Sequence, residues 1–262
     1  RKPEGKVVEI LGKQGAPGVD ILSIIRAHDL IEEFPVAVLS EARKVPQTVS
    51  AEQCKDRRDY RDETIITIDG DDSKDFDDAI GLKIKANGNY RLGVHIADVA
   101  EYVRAGSKLD KEAYKRGTSV YLCDRVLPML PVELSNGICS LNEGVDRLTL
   151  SVIVELDKGG NIVKSKIREG VIRSKARTTY TQVAAILDGD EALRDKYADI
   201  VPMLENMKQL ADARRYLRVK RGCIDFDLSE SKIDIDRDTG KVLSISKYPR
   251  LISHQIVEEF ML

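Results

Sequence analysis

Thr67-Ile68-Asp69-Gly70-Asp71-Asp72-Ser73-Lys74-Asp75-Phe76-Asp77-Asp78-Ala79-Ile80 is the stretch on which the reading of this 262-residue chain turns. Six aspartates fall between positions 69 and 78, against the single cation Lys74. β-branched Thr64–Ile68 on one side and apolar Ala79–Lys85 on the other both read as strands, so the acids occupy the connection between them. Carboxylates held this close must either raise their pKa values or share a cation. A hard divalent ion suits them, because magnesium takes oxygen ligands, keeps several waters and binds through a few carboxylates plus substrate phosphate. A pair of such ions about 4 Å apart stabilises both the attacking and the leaving oxygen of a phosphodiester. An EF-hand starting at Asp69 fails, since it needs glycine where Lys74 stands and glutamate where Ile80 stands. Asp71-Asp72-Ser73-Lys74-Asp75 fits the DDxxD pattern of isoprenoid synthases, but that pattern belongs on a helix of an all-α fold. A solvated acidic turn is the plain alternative; apolar strands on both sides and Phe76 among the acids speak against it.

Outward from the loop, strand and helix signals alternate. Asn87-Gly88 is a strong two-residue turn into Tyr90–Ile96. Leu148–Asp157 and Asn161–Arg173 flank Lys158-Gly159-Gly160 as a second hairpin. Met203, Met207, Leu210, Ala211 and Leu217 mark a long amphipathic helix. Cys223–Leu228 reads as strand, as do Lys232–Asp236 and Lys241–Ser246 around Asp238-Thr239-Gly240. Ser253–Leu262 opens a further helix through Ile256, Val257, Phe260 and Met261. Upstream, Lys6–Leu11 reads as a short strand and Gly15-Ala16-Pro17-Gly18 breaks the chain. From Val19 to about Lys44 the apolar positions recur at helical spacing, split at Phe34-Pro35 because proline suits a first helical turn and not an interior. An α+β fold follows.

Composition narrows the class. The 42% hydrophobic and 33% charged content is that of a soluble globular protein. No apolar run approaches the roughly 18 residues a membrane span needs, and Arg1–Gly5 precede no signal-type apolar core. Cys54, Cys123, Cys139 and Cys223 lie far apart with no CxxC pair, which reads as reduced thiols in a cytoplasmic protein. The net charge of −2 hides an uneven distribution: residues 164–177 carry six Lys/Arg against Glu169, and residues 214–221 carry five with no acid. Taken alone, either basic run reads as a solvated face.

The aspartate stretch resembles the signature T-I-D-G-x-D-x-x-D-F-D-D-A of RNase R and RNase II catalytic domains, with every specified position present from Thr67 to Ala79. The similarity continues through Gly93-Val94-His95-Ile96-Ala97-Asp98-Val99 and Leu127-Pro128-Met129-Leu130-Pro131. It also takes in Leu134-Ser135-Asn136-Gly137-Ile138-Cys139-Ser140-Leu141, Arg221-Gly222 and His254–Leu262, and it leans to the RNase R branch. It implies an α+β fold, a mixed sheet with packed helices forming the first half of the catalytic domain. By the same resemblance, residues 1–12 are a remnant of a cold-shock barrel, 13–60 a helical connector and 61–262 an incomplete catalytic domain.

The resemblance also assigns roles. Asp69, Asp75, Asp77 and Asp78 match the magnesium-site aspartates of the family, with manganese as the alternative ion, and Asp77 matches the position indispensable for cleavage. Tyr121 and Phe226, which alone read as strand core residues, match the two aromatics on which terminal nucleotides stack. Glu258 matches a glutamate near the terminal sugar; alone it reads as a helical surface residue. His95 reads as a structural histidine. The implied activity is processive 3′-to-5′ hydrolysis of RNA to nucleoside 5′-monophosphates, with the 3′ end of single-stranded RNA as partner, no membrane, and a monomeric full enzyme. The arginine that stabilises charge on the scissile phosphate in this family belongs to its second half, so the chain is expected to be inactive alone. Two other classes remain open: a non-catalytic RNA-binding module with a vestigial loop, and a metal-dependent phosphoesterase acting on small molecules.

Overall fold

A computed structural model of the chain describes residues 4–224, 231–236 and 239–262. Three short helices come first: α1 (Val19–Ala27), α2 (Val36–Ala42), with Pro35 immediately before it, and α3 (Ala51–Cys54), opened by a Ser50/Gln53 capping box. The strands β1 (Arg58–Asp59), β2 (Ile66–Asp69), β3 (Asp78–Ile84) and β4 (Tyr90–Ala97) follow. Helix α4 (Lys108–Arg116) precedes a small ribbon of β5 (Val120–Tyr121) and β6 (Val126–Leu127). A π-helical turn, Glu133–Ile138, leads to the long strands β7 (Asp146–Leu156) and β8 (Ile162–Arg173), then β9 (Ala176–Thr179). Helices α5 (Tyr180–Asp188), α6 (Glu191–Lys196) and α7 (Val201–Lys220) come next, then the separate hairpin β10 (Ser231–Ile235) and β11 (Val242–Lys247), and α8 (Ile252–Met261).

Seven strands form one mixed sheet in the order β1-β8-β7-β4-β3-β2-β9. The hairpins expected from Asn87-Gly88 and Lys158-Gly159-Gly160 supply its antiparallel centre, and β1 with β8 and β2 with β9 pair in parallel. Period-two alternation sorts the side chains. Ile66 and Ile68 of β2, Ile80 and Leu82 of β3 and Tyr90, Leu92 and Val94 of β4 pack against α5, α7 and α8 through Val183, Met203, Met207, Leu210, Ile256 and Phe260. The opposite face buries Tyr60, Ile65, Phe76, Ala79, Ala97, Leu141 and Ile172. Glycine is needed there at Gly93, where a Cβ would stand 2.7 Å from His95 Nε2. His95 is a core residue, as expected: fully buried, 2.8 Å from Ser151 Oγ through Nδ1, edge-on to Tyr60, and pushed by burial to a pKa of about 4. A third cluster packs Val38 and Ala42 of α2 on Leu109, Leu134, Ile138 and Cys139.

Two expectations need correction. Lys6–Leu11 is no strand, because a strand exists only as part of a ladder and no described segment pairs with these residues. Cys223 and Ile224 are irregular, and residues 225–228 of that expected strand lie outside the described residues.

Candidate active site

Strand β2 ends at Asp69, opposite Thr179 of its parallel neighbour β9, and β3 begins at Asp78 beside Ile96. The aspartate loop therefore spans the carboxyl end of a parallel strand pair, where open sheets containing parallel strands commonly place ligands. Asp69 Oδ1 accepts from its neighbour Gly70 N at 2.6 Å and from Ser73 Oγ at 2.9 Å. Asp77 is exposed to solvent. No hydrogen bond from a described residue offsets its desolvation, and burial followed by the charges of Asp75 and Asp69 pushes its pKa up. Asp78 is raised to about 6, by burial first and then by Asp69 and Asp77. Asp69 is raised by burial and by Asp75, against the opposing pull of its hydrogen bonds and of Arg177.

The four aspartates thus belong to one electrostatic neighbourhood. Among the described residues, no three carboxylate, thiol or imidazole groups close on a common point as a finished metal cage. Like charges repel one another, but the set is all oxygen, negatively charged and partly desolvated. That donor chemistry fits a hard divalent cation.

Tyr121 comes to the same place from the β5–β6 ribbon. Its hydroxyl donates to Asp75 Oδ2 at 2.6 Å while its ring stays 65% exposed, free to meet a ligand. The Asp75 carboxylate, accepting that hydrogen bond, holds the phenol above its ordinary range. Glu258 is exposed on α8, one turn from His254, and pairs with Arg250 at 2.6 Å. Phe226 lies outside the described residues.

Two neighbours escaped the sequence reading. Tyr180, the first residue of α5, stacks on His254 at 3.9 Å and anchors α8 by accepting the Ser253 hydroxyl at its carbonyl, 2.7 Å away. Its phenol is pushed up to about 12 by burial, then by Asp69, Asp78, Tyr248 and Glu258. Arg177 on β9 reaches the loop itself, donating to Ser73 O at 2.8 Å and Asp71 O at 3.3 Å.

Against known proteins, the RNB domain matches residues 57–262 and a cold shock domain matches residues 1–35. The chain belongs to the RNB-domain family. It is 47% identical to ribonuclease R of Thermotoga maritima over its whole length and 40% identical to ribonuclease R of Escherichia coli, covering 37% and 32% of those proteins. The chain thus spans about a third of the length of the curated relatives it matches. The structure superposes on Mycoplasma genitalium RNase R in complex with double-stranded RNA with a TM-score of 0.88 and 30% identity, covering 96% of this chain and 44% of that one. The same protein with ribose-methylated single-stranded RNA gives 0.87, with 39% of that chain covered. A yeast pseudonuclease at 20% identity also shares the fold, with a TM-score of 0.71.

Proposed function

We propose that this chain is the aspartate-bearing part of a hydrolytic exoribonuclease that degrades RNA from its 3′ end and releases nucleoside 5′-monophosphates. The observation that carries this reading is the loop that joins Asp69 at the end of β2 to Asp78 at the start of β3, with Asp77 on it and Asp75 bonded to the exposed Tyr121. A divalent cation, magnesium or manganese, held by these four carboxylates would supply the positive charge that activates water and stabilises the scissile phosphate. The Asp77 carboxylate accepts no hydrogen bond from a described residue, so its oxygens are available for that ion. Tyr121 offers a stacking platform for a terminal base, with its hydroxyl pinned to Asp75. Glu258, on the Tyr180 side of the site, would accept from ribose hydroxyls. The exposed Lys164, Lys166 and Arg168 of β8 can meet RNA phosphates. The working enzyme is a cytoplasmic monomer.

The test is Asp77→Asn in the full-length protein, with 3′-unblocked single-stranded RNA. The amide keeps the shape and loses the charge, so cleavage should vanish while RNA binding, which rests mainly on phosphate contacts, stays close to wild type. Equal loss of both would make Asp77 a structural residue and end the reading.

A further inference from the structure

The segment Leu134–Leu141 stands out in the sequence, yet none of its residues belongs to the site described above. Ser140, within it, is fully buried and bonded to the aspartate loop. Its Oγ accepts from Phe76 N at 3.0 Å and donates to Lys74 O at 2.9 Å, and the next residue, Leu141, donates its N–H to Phe76 O at 2.9 Å. These bonds hold the backbone on both sides of Asp75 and immediately before Asp77. Ser140 is itself held by Arg147, which is buried on β7: Nε donates to Ser140 O at 2.7 Å and Nη2 to Gly137 O at 3.1 Å. On the other flank, the Arg177 guanidinium grips the carbonyls of Asp71 and Ser73 and lies 4.9 Å over the Phe76 ring. Glu143 fixes the Arg177 backbone, its Oε2 accepting the N–H at 2.8 Å. Neither Ser140 nor Arg177 presents an anionic oxygen to a cation, and both bind the loop mainly through its main chain.

We propose that Ser140 and Arg177, gripping the aspartate loop from opposite flanks, are positioning residues for phosphodiester cleavage. The proposal rests on the metal-site reading of the four aspartates. Carboxylates that repel one another leave a loop free to splay, and the two residues restrain the backbone from which Asp75 and Asp77 project. Their contribution should therefore appear in metal affinity and turnover, and not in RNA capture.

The experiment compares Ser140→Ala, Arg177→Gln, Arg177→Lys and Asp77→Asn in the full-length protein. Magnesium dependence of kcat is read together with manganese binding by calorimetry in the absence of RNA. Misplaced catalytic groups can cost about a hundredfold in rate, and a fall of that order is expected for Ser140→Ala and Arg177→Gln at low magnesium. Manganese affinity should fall about tenfold, high magnesium should partly restore turnover, and the RNA KM should stay within about twofold. Arg177→Lys keeps the charge near Asp69 without the planar fork, so it should recover less than half of the lost affinity. Unaltered manganese affinity and magnesium dependence in both Ser140→Ala and Arg177→Gln, with only a lower thermal midpoint, would overturn the proposal. Should Ser140→Ala fail to fold, the exposed Arg177 decides the matter alone. Wild-type cleavage by Asp77→Asn would instead sink the metal-site reading beneath it.

Discussion

Replacing Arg116 with methionine should loosen the join between residues 31–34 and the RNB domain. Its side chain, only 4% exposed, lies at the end of α4 and pairs with Glu112, itself 8% exposed, at 3.0 Å. Its remaining donors reach Ile31 O at 3.0 Å, Pro128 O at 3.1 Å and Glu33 O at 2.9 Å, and the guanidinium stacks 3.6 Å over Phe34. Methionine keeps the aliphatic stem and removes every donor. Breaking a buried ion pair by deleting one partner costs about 3–5 kcal/mol, because the other charge is left uncompensated. Set against a usual domain stability of about 5–15 kcal/mol, this is a severe loss. The unpaired Glu112 carries most of it, so a double variant, Arg116→Met with Glu112→Met, should regain more than half. Urea unfolding followed by circular dichroism measures both changes. Limited proteolysis should show earlier cutting between residues 28 and 35 in the single variant. A loss below about 1 kcal/mol, the range of an exposed pair, would refute the reasoning, as would a double variant no more stable than the single.

Other outcomes follow from individual side chains. His95 has its pKa depressed from 6.5 to about 4 by burial, so the unfolded chain binds its proton first as pH falls. The stability His95 contributes is complete above pH 6.5 and declines towards pH 4, by about 2 kcal/mol at pH 5. His95→Gln should flatten that part of the stability–pH curve, although it lowers stability at neutral pH; an unchanged slope would count against a neutral buried imidazole. Tyr121→Ala in the full-length enzyme should lengthen the short end product more than it slows degradation of long RNA. Tyr121→Phe, which keeps the ring and drops the bond to Asp75, should leave that end product unchanged. The same new end product from both variants would place the role in the hydroxyl and not in stacking.

Much of the central sheet could be read from local pattern. Ile80 and Leu82 alternate with Ala79 and Gly81, and Asn87-Gly88 turns β3 into β4, so both register and facing were available over a few residues. The parallel joins were not. Ile66 meets Ala176 and Arg58 meets Gly170 across most of the domain, and no turn residue announces such a pairing. The π-helical turn at Glu133–Ile138 likewise leaves no periodic trace. Within the candidate site, the aspartates declared themselves because six like charges on one loop need an explanation. Arg177 did not, since in sequence it belongs to a basic run; only β9 lying along β2 brings it to Ser73 and Asp71. Tyr180 was hidden for the same reason.

The two-flank grip also sets an order of assembly. A chain made from its N-terminus has all six aspartates once residue 78 has emerged, but the hydroxyl that holds Phe76 arrives only with Ser140. The guanidinium that holds Ser73 follows with Arg177. Strand β2 likewise has an open edge until β9 has been made, and pairing across so long a loop is slow compared with closing a hairpin. The acidic loop is thus synthesised before the residues that give it its shape. During synthesis, a ribosome-bound intermediate would carry the complete set of carboxylates without the contacts that arrange them in the folded chain.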